Sequence, residues 1–248
     1  MKFSVLTLFP DMFESVLGES IIGRALKNGI IETEYINIRD FSEGNYRRVD
    51  DYPYGAGGGM VMQPMPIYKA YQSVCKEGEK PYVVYMSPQG NVFNQKKAIE
   101  LAKKDHVVIL CGHYEGVDER IIEEIVDEEI SVGDYVLTGG ELPAMIVIDA
   151  TARMCEGTLD SNETMEIESH YNSLLEYPQY TRPVEFMGRR VPDILLSGHH
   201  ANIEAWRREQ SLIRTKLKRP DMIKKADLTD KEREMLKKVR RKRKKCSE

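Results

Sequence analysis

The chain has 248 residues, 41% of them hydrophobic and 31% charged, with a formal net charge of −4. That suffices to bury a sizeable core in one large or two modest domains, and the apolar runs, of which Leu142 to Ile148 is typical, are too short to cross a membrane. Cys75, Cys111, Cys155 and Cys246 lie far apart without CxxC spacing, and no small-residue cleavage site follows the N-terminus, so we expect a reducing cytosol, no secretory signal and no structural zinc.

The opening MKFSVLTLFP reads as a first strand. Pro10-Asp11 then starts a helix with Phe13, Val16, Leu17, Ile21 and Ile22 on one face, and Asn28-Gly29 stops it. A second strand is expected over 30–38, followed by an irregular polar segment over 39–59 that contains Arg47, Arg48, Asp50 and Asp51. Its end, YGAGGGM, misses the dinucleotide spacing because Met60 stands where the third glycine belongs. No Lys-Ser/Thr pair follows, so it is no P-loop either. A flap over a ligand fits slightly better than a tight hairpin.

Helices are expected over 64–76, 94–104 and 118–127, alternating with strands over 82–86 and 107–111. A further strand ends at Gly133. Such alternation marks an α/β domain with a mostly parallel sheet, which closes near Gly157. Three buried-strand candidates each run into a glycine-bearing loop: YVVYM into SPQG, VVILC into GHYEG, and the strand before Gly133 into DYVLTGG. In open parallel sheets such loops gather beyond the carboxyl ends of the strands, where ligands bind. Three in succession favour a site over three ordinary turns. A helix from Glu141 to Met154 follows the last of them.

The stretch 158–171 is polar, acidic and aperiodic, and reads as a linker or mobile loop. Beyond it Ile203, Trp206, Gln210, Ile213 and Leu217 recur at helical spacing, and Thr229-x-x-Glu232 is a capping box opening a last basic helix. From Glu176 onward 21 Lys+Arg face 11 Asp+Glu, a net of +10, whereas the remainder, 15 against 29, is −14. An acidic body with a basic tail, ending in KKVRRKRKK, points to a polyanionic partner. The histidines show no metal spacing, and no nucleophile-base-acid set is legible.

Several segments together resemble one known family. They are FPDMF at Phe9, RRVDDYPYGAGGGM at Arg47, SPQG at Ser87, CGHYEGVDER at Cys111, ISVGDYVLTGGELPA at Ile130, YTRP at Tyr180 and LLSGHHANIEAWRREQSL at Leu195. Over essentially the whole chain the sequence resembles the bacterial tRNA (guanine-37) methyltransferases of the SPOUT superfamily. The resemblance implies a SPOUT cofactor-binding and catalytic domain over 1–160, a mobile linker over 161–175 and a basic helical tRNA-binding domain over 176–248. It also implies a deep trefoil knot in the α/β domain, which periodicity does not predict and which folds ordinarily avoid.

By the same resemblance the chain moves a methyl group from S-adenosyl-L-methionine to nitrogen-1 of the guanosine 3′ of the tRNA anticodon, which prevents frameshifting. It would act as a homodimer with a shared active site, with tRNA as partner and neither membrane nor DNA; a magnesium requirement stays open. Met86, Ser87, Pro88, Gly112, Val132, Gly133, Asp134, Tyr135, Val136, Leu137, Gly139 and Gly140 match the cofactor pocket. Glu115 and Tyr114 match the side that meets the target base. Arg153 matches the catalytic arginine, and Glu168 stands where the family places a catalytic aspartate, with Glu166 and Glu163 as alternatives under a small shift of alignment. A SPOUT enzyme acting on another RNA nucleotide and a non-catalytic RNA-binding protein are the rival readings. A dinucleotide-dependent enzyme is disfavoured because the fingerprint glycines are missing.

Overall fold

The inner strands of the sheet, over residues 2–7, 82–86 and 106–111, are buried on both faces because both are covered. The computed structural model describes residues 1–43, 46–55, 57–76, 78, 80–159 and 168–239. Its contacts divide the chain into two units, Met1–Asp160 and Ser161–Glu248. The first unit carries strands β1 (Lys2–Thr7), β2 (Glu32–Asn37), β3 (Asp50–Asp51), β4 (Val61–Met62), β5 (Tyr82–Val92), β6 (His106–Cys111) and β7 (Glu128–Ser131). Its helices are α1 (Asp11–Leu17), α2 (Ser20–Lys27), α3 (Pro64–Val74), α4 (Gln95–Leu101), α5 (Glu119–Ile125) and α6 (Glu141–Ala152).

All strands but β3 and β4 form one parallel sheet in the order β2-β1-β6-β5-β7. Side chains alternate across it. Phe3, Val5, Val84, Met86, Val107, Ile109 and Cys111 pack on one face with residues of α1, α2 and α6, while Leu6, Val83, Tyr85, Val108 and Leu110 pack on the other with α3 and α5. Each fully buried Val, Leu or Ile contributes roughly 1.5–3 kcal/mol, and a sheet covered on both sides reads as continuous apolar runs. Among the described residues no helix is long and apolar enough to cross a membrane.

Local differences from the sequence reading have physical causes. The single helix expected over 10–28 is two: α1 ends at its Gly18 cap and α2 starts at Ser20, where the backbone turns through a φ of 55°, and a β-carbon at Gly23 would collide with the Gly18 backbone. Val16, expected on the buried face, is 55% exposed. Strand β5 does not end at Met86. It shifts register and resumes pairing at Asn91–Val92 with Ile130–Ser131, so Ser87-Pro88-Gln89-Gly90 is an irregularity within a strand. The segment 39–59 is less irregular than expected. A 3-10 turn spans Ile38–Phe41, and β3 pairs antiparallel with β4 around the glycine run.

The second unit is helical and lightly cored. It has a short hairpin (Glu185–Phe186 with Arg189–Arg190) and helices Asp193–Leu196, His200–Lys218, Pro220–Ile223 and Asp230–Lys238. Leu174, Leu212, Leu228 and Leu236 form its buried cluster. The long helix is therefore seamed by Leu212 and Thr215, next to the Ile203–Leu217 face read from the sequence. Leu175 N donates to Thr215 Oγ1 at 2.8 Å, which draws the preceding segment over that seam. The capping box is present, with Thr229 Oγ1 and Glu232 each bonding the other's backbone.

Candidate functional site

Because β5 lies between β6 and β7, the chain leaving these three strands converges on one side of the sheet. A cavity of about 450 Å³ opens there, lined by Met86, Ser87 and Pro88, by Gly112 to Val117, and by Val132 and Tyr135 to Gly140. Gly140 N donates to Gly112 O at 3.0 Å, so the last loop is laced directly onto the middle one. A β-carbon at Gly140 would sit 2.7 Å from Cys111 Cα, and one at Gly139 would run into the His113 ring. Only glycine permits that approach.

The walls are mixed. Tyr135, Val136 and Leu137 are 56%, 81% and 39% exposed, so these apolar side chains serve the cavity mouth rather than the core. Deeper in, Tyr85 is 7% exposed, and its hydroxyl has no hydrogen-bond partner among the described residues. Burial, then the Glu129 and Glu119 carboxylates, push its phenol up to about 12, so it is a neutral group able to donate. The β3–β4 hairpin covers the middle loop. Glu115 N donates to Met60 O at 2.9 Å, Met62 N to Gly116 O at 2.9 Å, and the Glu115 side chain fills the space a β-carbon of Gly59 would need. The glycine run is thus a hairpin whose end rests on Glu115.

Of the residues singled out from the sequence, Met86, Ser87, Pro88, Gly112, Tyr114, Glu115, Val132, Tyr135, Val136, Leu137, Gly139 and Gly140 line this cavity. Gly133 and Asp134 do not. Gly133 is held by Ser131 Oγ, which donates to its carbonyl at 2.9 Å and accepts from its N–H at 3.1 Å, and Asp134 is exposed. Arg153 caps the C-terminus of α6 and is not among the lining residues. Glu168 belongs to the second unit, where it borders a recess of about 180 Å³ with Tyr177, Glu204, Arg207 and Arg208. The alternatives Glu163 and Glu166 and the basic run from Arg240 onward lie outside the described residues.

The sequence reading missed a buried polar cluster behind the cavity. Glu141, 2% exposed, accepts from Thr7 Oγ1 at 2.6 Å through one oxygen and bonds His113 Nε2 at 2.6 Å through the other. Phe9 N donates to Thr7 Oγ1 at 2.9 Å, and the Phe9 ring packs edge-on against His113 at 4.9 Å. No spacing signals this set, since Thr7 and Glu141 are 134 residues apart. A glutamate heading the apolar run Leu142 to Ile148 was the available clue.

Comparison with known proteins matches residues 1–225 to the family model described as tRNA (Guanine-1)-methyltransferase TrmD. A protein of Ruminiclostridium cellulolyticum named tRNA (guanine-N(1)-)-methyltransferase is 60% identical over 91% of this chain and 97% of its own length. Proteins of the same name from Lachnoclostridium phytofermentans and Lachnospira eligens are 50% identical over 97% of each chain, and 55% identical over 90% of this chain and 94% of the relative. With a match of that extent, the chain belongs to the tRNA (guanine-1)-methyltransferase family.

Proposed function

We propose that this enzyme transfers a methyl group from S-adenosyl-L-methionine to nitrogen-1 of the guanosine at position 37 of tRNA. The observation that carries the reading is the cavity built by the three strand-ending loops, in a chain whose relatives are named for guanine-N1 methylation of tRNA. The cavity suits an adenosine bearing a polar amino-acid arm. Its mouth offers the apolar Tyr135 and Leu137, its glycine turns bring backbone N–H and C=O groups within reach, and the Tyr85 hydroxyl is left to pair. Met86, Ser87, Pro88, Gly112, Val132, Tyr135, Val136, Leu137, Gly139 and Gly140 would hold the ligand. When bound, S-adenosylmethionine supplies an electrophilic methyl group on its sulfonium.

The chain's own work is to present a guanine and take its proton. In this reading Glu115 accepts from the two donors on the guanine Watson–Crick edge, which adenine does not offer, with Tyr114 beside it. Nitrogen-1 loses a proton as it gains the methyl, and charge spreads onto the neighbouring carbonyl oxygen. Arg153 is assigned to that oxygen, where a fixed cation stabilises developing charge. Glu168 takes the proton as general base.

The reading completes the site in a homodimer, with one copy supplying the pocket and its partner the base. Met12 and Val16 of α1, and Leu142 and Ile146 of α6, support an interface there, being apolar and 40–55% exposed on helices that touch. In this reading the three loops form a trefoil knot. The basic second unit would hold the tRNA through its phosphates, and a cytosolic setting suits the free cysteines Cys75, Cys111 and Cys155. The test is mass spectrometry of unmodified tRNA after incubation with protein and S-adenosylmethionine. A single methyl on guanosine 37 is expected; methyl on another nucleotide, or none, overturns the reading.

A further inference from the structure

The buried Glu141 has a cost without an evident return in stability. A carboxylate removed from water is unfavourable unless fully paired, and here it is paired across three separate pieces of chain. Thr7 ends β1, His113 belongs to the loop after β6, and Glu141 itself is the first residue of α6, directly after Gly139-Gly140. The start of a helix favours negative charge, because the unpaired backbone N–H groups point toward it. The negative charge is felt nearby: burial first, then Glu141, holds the Cys111 thiol well above its ordinary range.

We propose that Glu141 is the positioning residue of the cofactor pocket. It touches no part of the cavity itself. Through His113 it fixes the loop 112–117, and through its own backbone it fixes the turn Gly139-Gly140 against Cys111, while Thr7 anchors both to the sheet. Two of the three loops therefore keep their spacing by one carboxylate. The carboxylate bonds His113 Nε2 and so also fixes the ring orientation at the point where His113 faces the cavity. The proposal rests on the cavity holding S-adenosylmethionine.

Calorimetric titration of S-adenosylmethionine into the full-length chain, alongside thermal unfolding, tests it. Glu141→Ala and His113→Ala should each weaken binding by about 10-fold or more, the scale of losing a hydrogen bond to a charged group. The double variant should be no weaker than Glu141→Ala alone, because the two act as one unit. Glu141→Gln keeps the shape and the bond from Thr7 but turns an amide N–H₂ toward His113. It should fold, bind several-fold more weakly than wild type, and carry the test should Glu141→Ala fail to fold. Unfolding temperatures that fall while affinity stays at the wild-type value would overturn the proposal, as would strictly additive losses in the double variant. Absence of binding by the wild-type chain would instead overturn the cofactor reading beneath it.

Discussion

The two units of this protein are held together by different physics. The first unit buries two apolar clusters on either side of a parallel sheet, and its functional loops are close-packed backbone on backbone, down to Gly140 against Cys111. The second has a smaller cluster of four leucines, with Ile223, Ala226, Met235 and Val239 packed against it, and adds caps and ion pairs such as Arg208 with Glu232 at 2.8 Å and Arg219 with Asp221 at 2.6 Å. Surface ion pairs contribute little each. A rigid pocket thus sits on the strongly cored unit, and the residue proposed to move a proton sits on the lightly cored one. Such a division lets one part stay preorganised while the other adapts to RNA.

The largest expected effect falls on the smaller core. Leu212→Ala removes one of four buried leucines and should cost about 2–5 kcal/mol. Calorimetric melting should show the second unit unfolding early, with the sheet unit near its wild-type temperature. One cooperative transition moving as a whole would break the contrast. Next comes Glu168→Gln, which should lower the single-turnover methylation rate by roughly 10²-fold, the scale of a lost general base. S-adenosylmethionine affinity should be unchanged. Glu168→Asp should keep substantial activity. If Glu168→Gln turns over at the wild-type rate while Glu166→Gln or Glu163→Gln is dead, the base is one of those residues.

Gly140→Ala probes the close approach in the first unit. Its methyl would meet backbone that cannot swing away, so a loss of about 1–3 kcal/mol is expected, as for overpacking, together with weaker cofactor binding. Unchanged binding would mean that the lacing of the loops is incidental to the pocket. The smallest effect belongs to the last helix. Thr229→Ala should cost about 1 kcal/mol as a lost N-cap.

The capping box also sets a pH dependence. Hydrogen bonding from Arg208 lowers the Glu232 carboxyl from 4.5 to about 2. Because the folded value is depressed, its contribution is complete above the ordinary carboxylate range. It fades as pH falls from about 4.5 toward 2. Circular dichroism on acidification should show helix lost over that window in the wild type, and a smaller pH response in Glu232→Gln.

Legibility in the sequence follows the same divide. The inner strands of the sheet were readable because burial on both faces writes uninterrupted apolar runs, and the loops because crowding demands glycine, against the Tyr85 ring at Gly112, the His113 ring at Gly139 and the Cys111 backbone at Gly140. Beyond Met86 the reading stopped, since Ser-Pro-Gln-Gly spells a turn and only the partner strand β7 shows that pairing resumes at Asn91. The Thr7–Glu141–His113 cluster left no periodic trace, as its members meet only through the fold. In the second unit the cap was legible as a local motif. The seam at Leu212 and Thr215 was not, because it depends on the segment from Leu174 lying over the helix.

The central claim is that the cofactor site belongs to the first unit alone, at its three converging loops. Hydrogen–deuterium exchange on the full-length chain, with and without saturating S-adenosylmethionine, reads this directly. The account predicts protection confined to peptides covering 85–89, 112–117 and 131–140, with the second unit unchanged until tRNA is added. Protection centred on the second unit, or none at these loops, would contradict it.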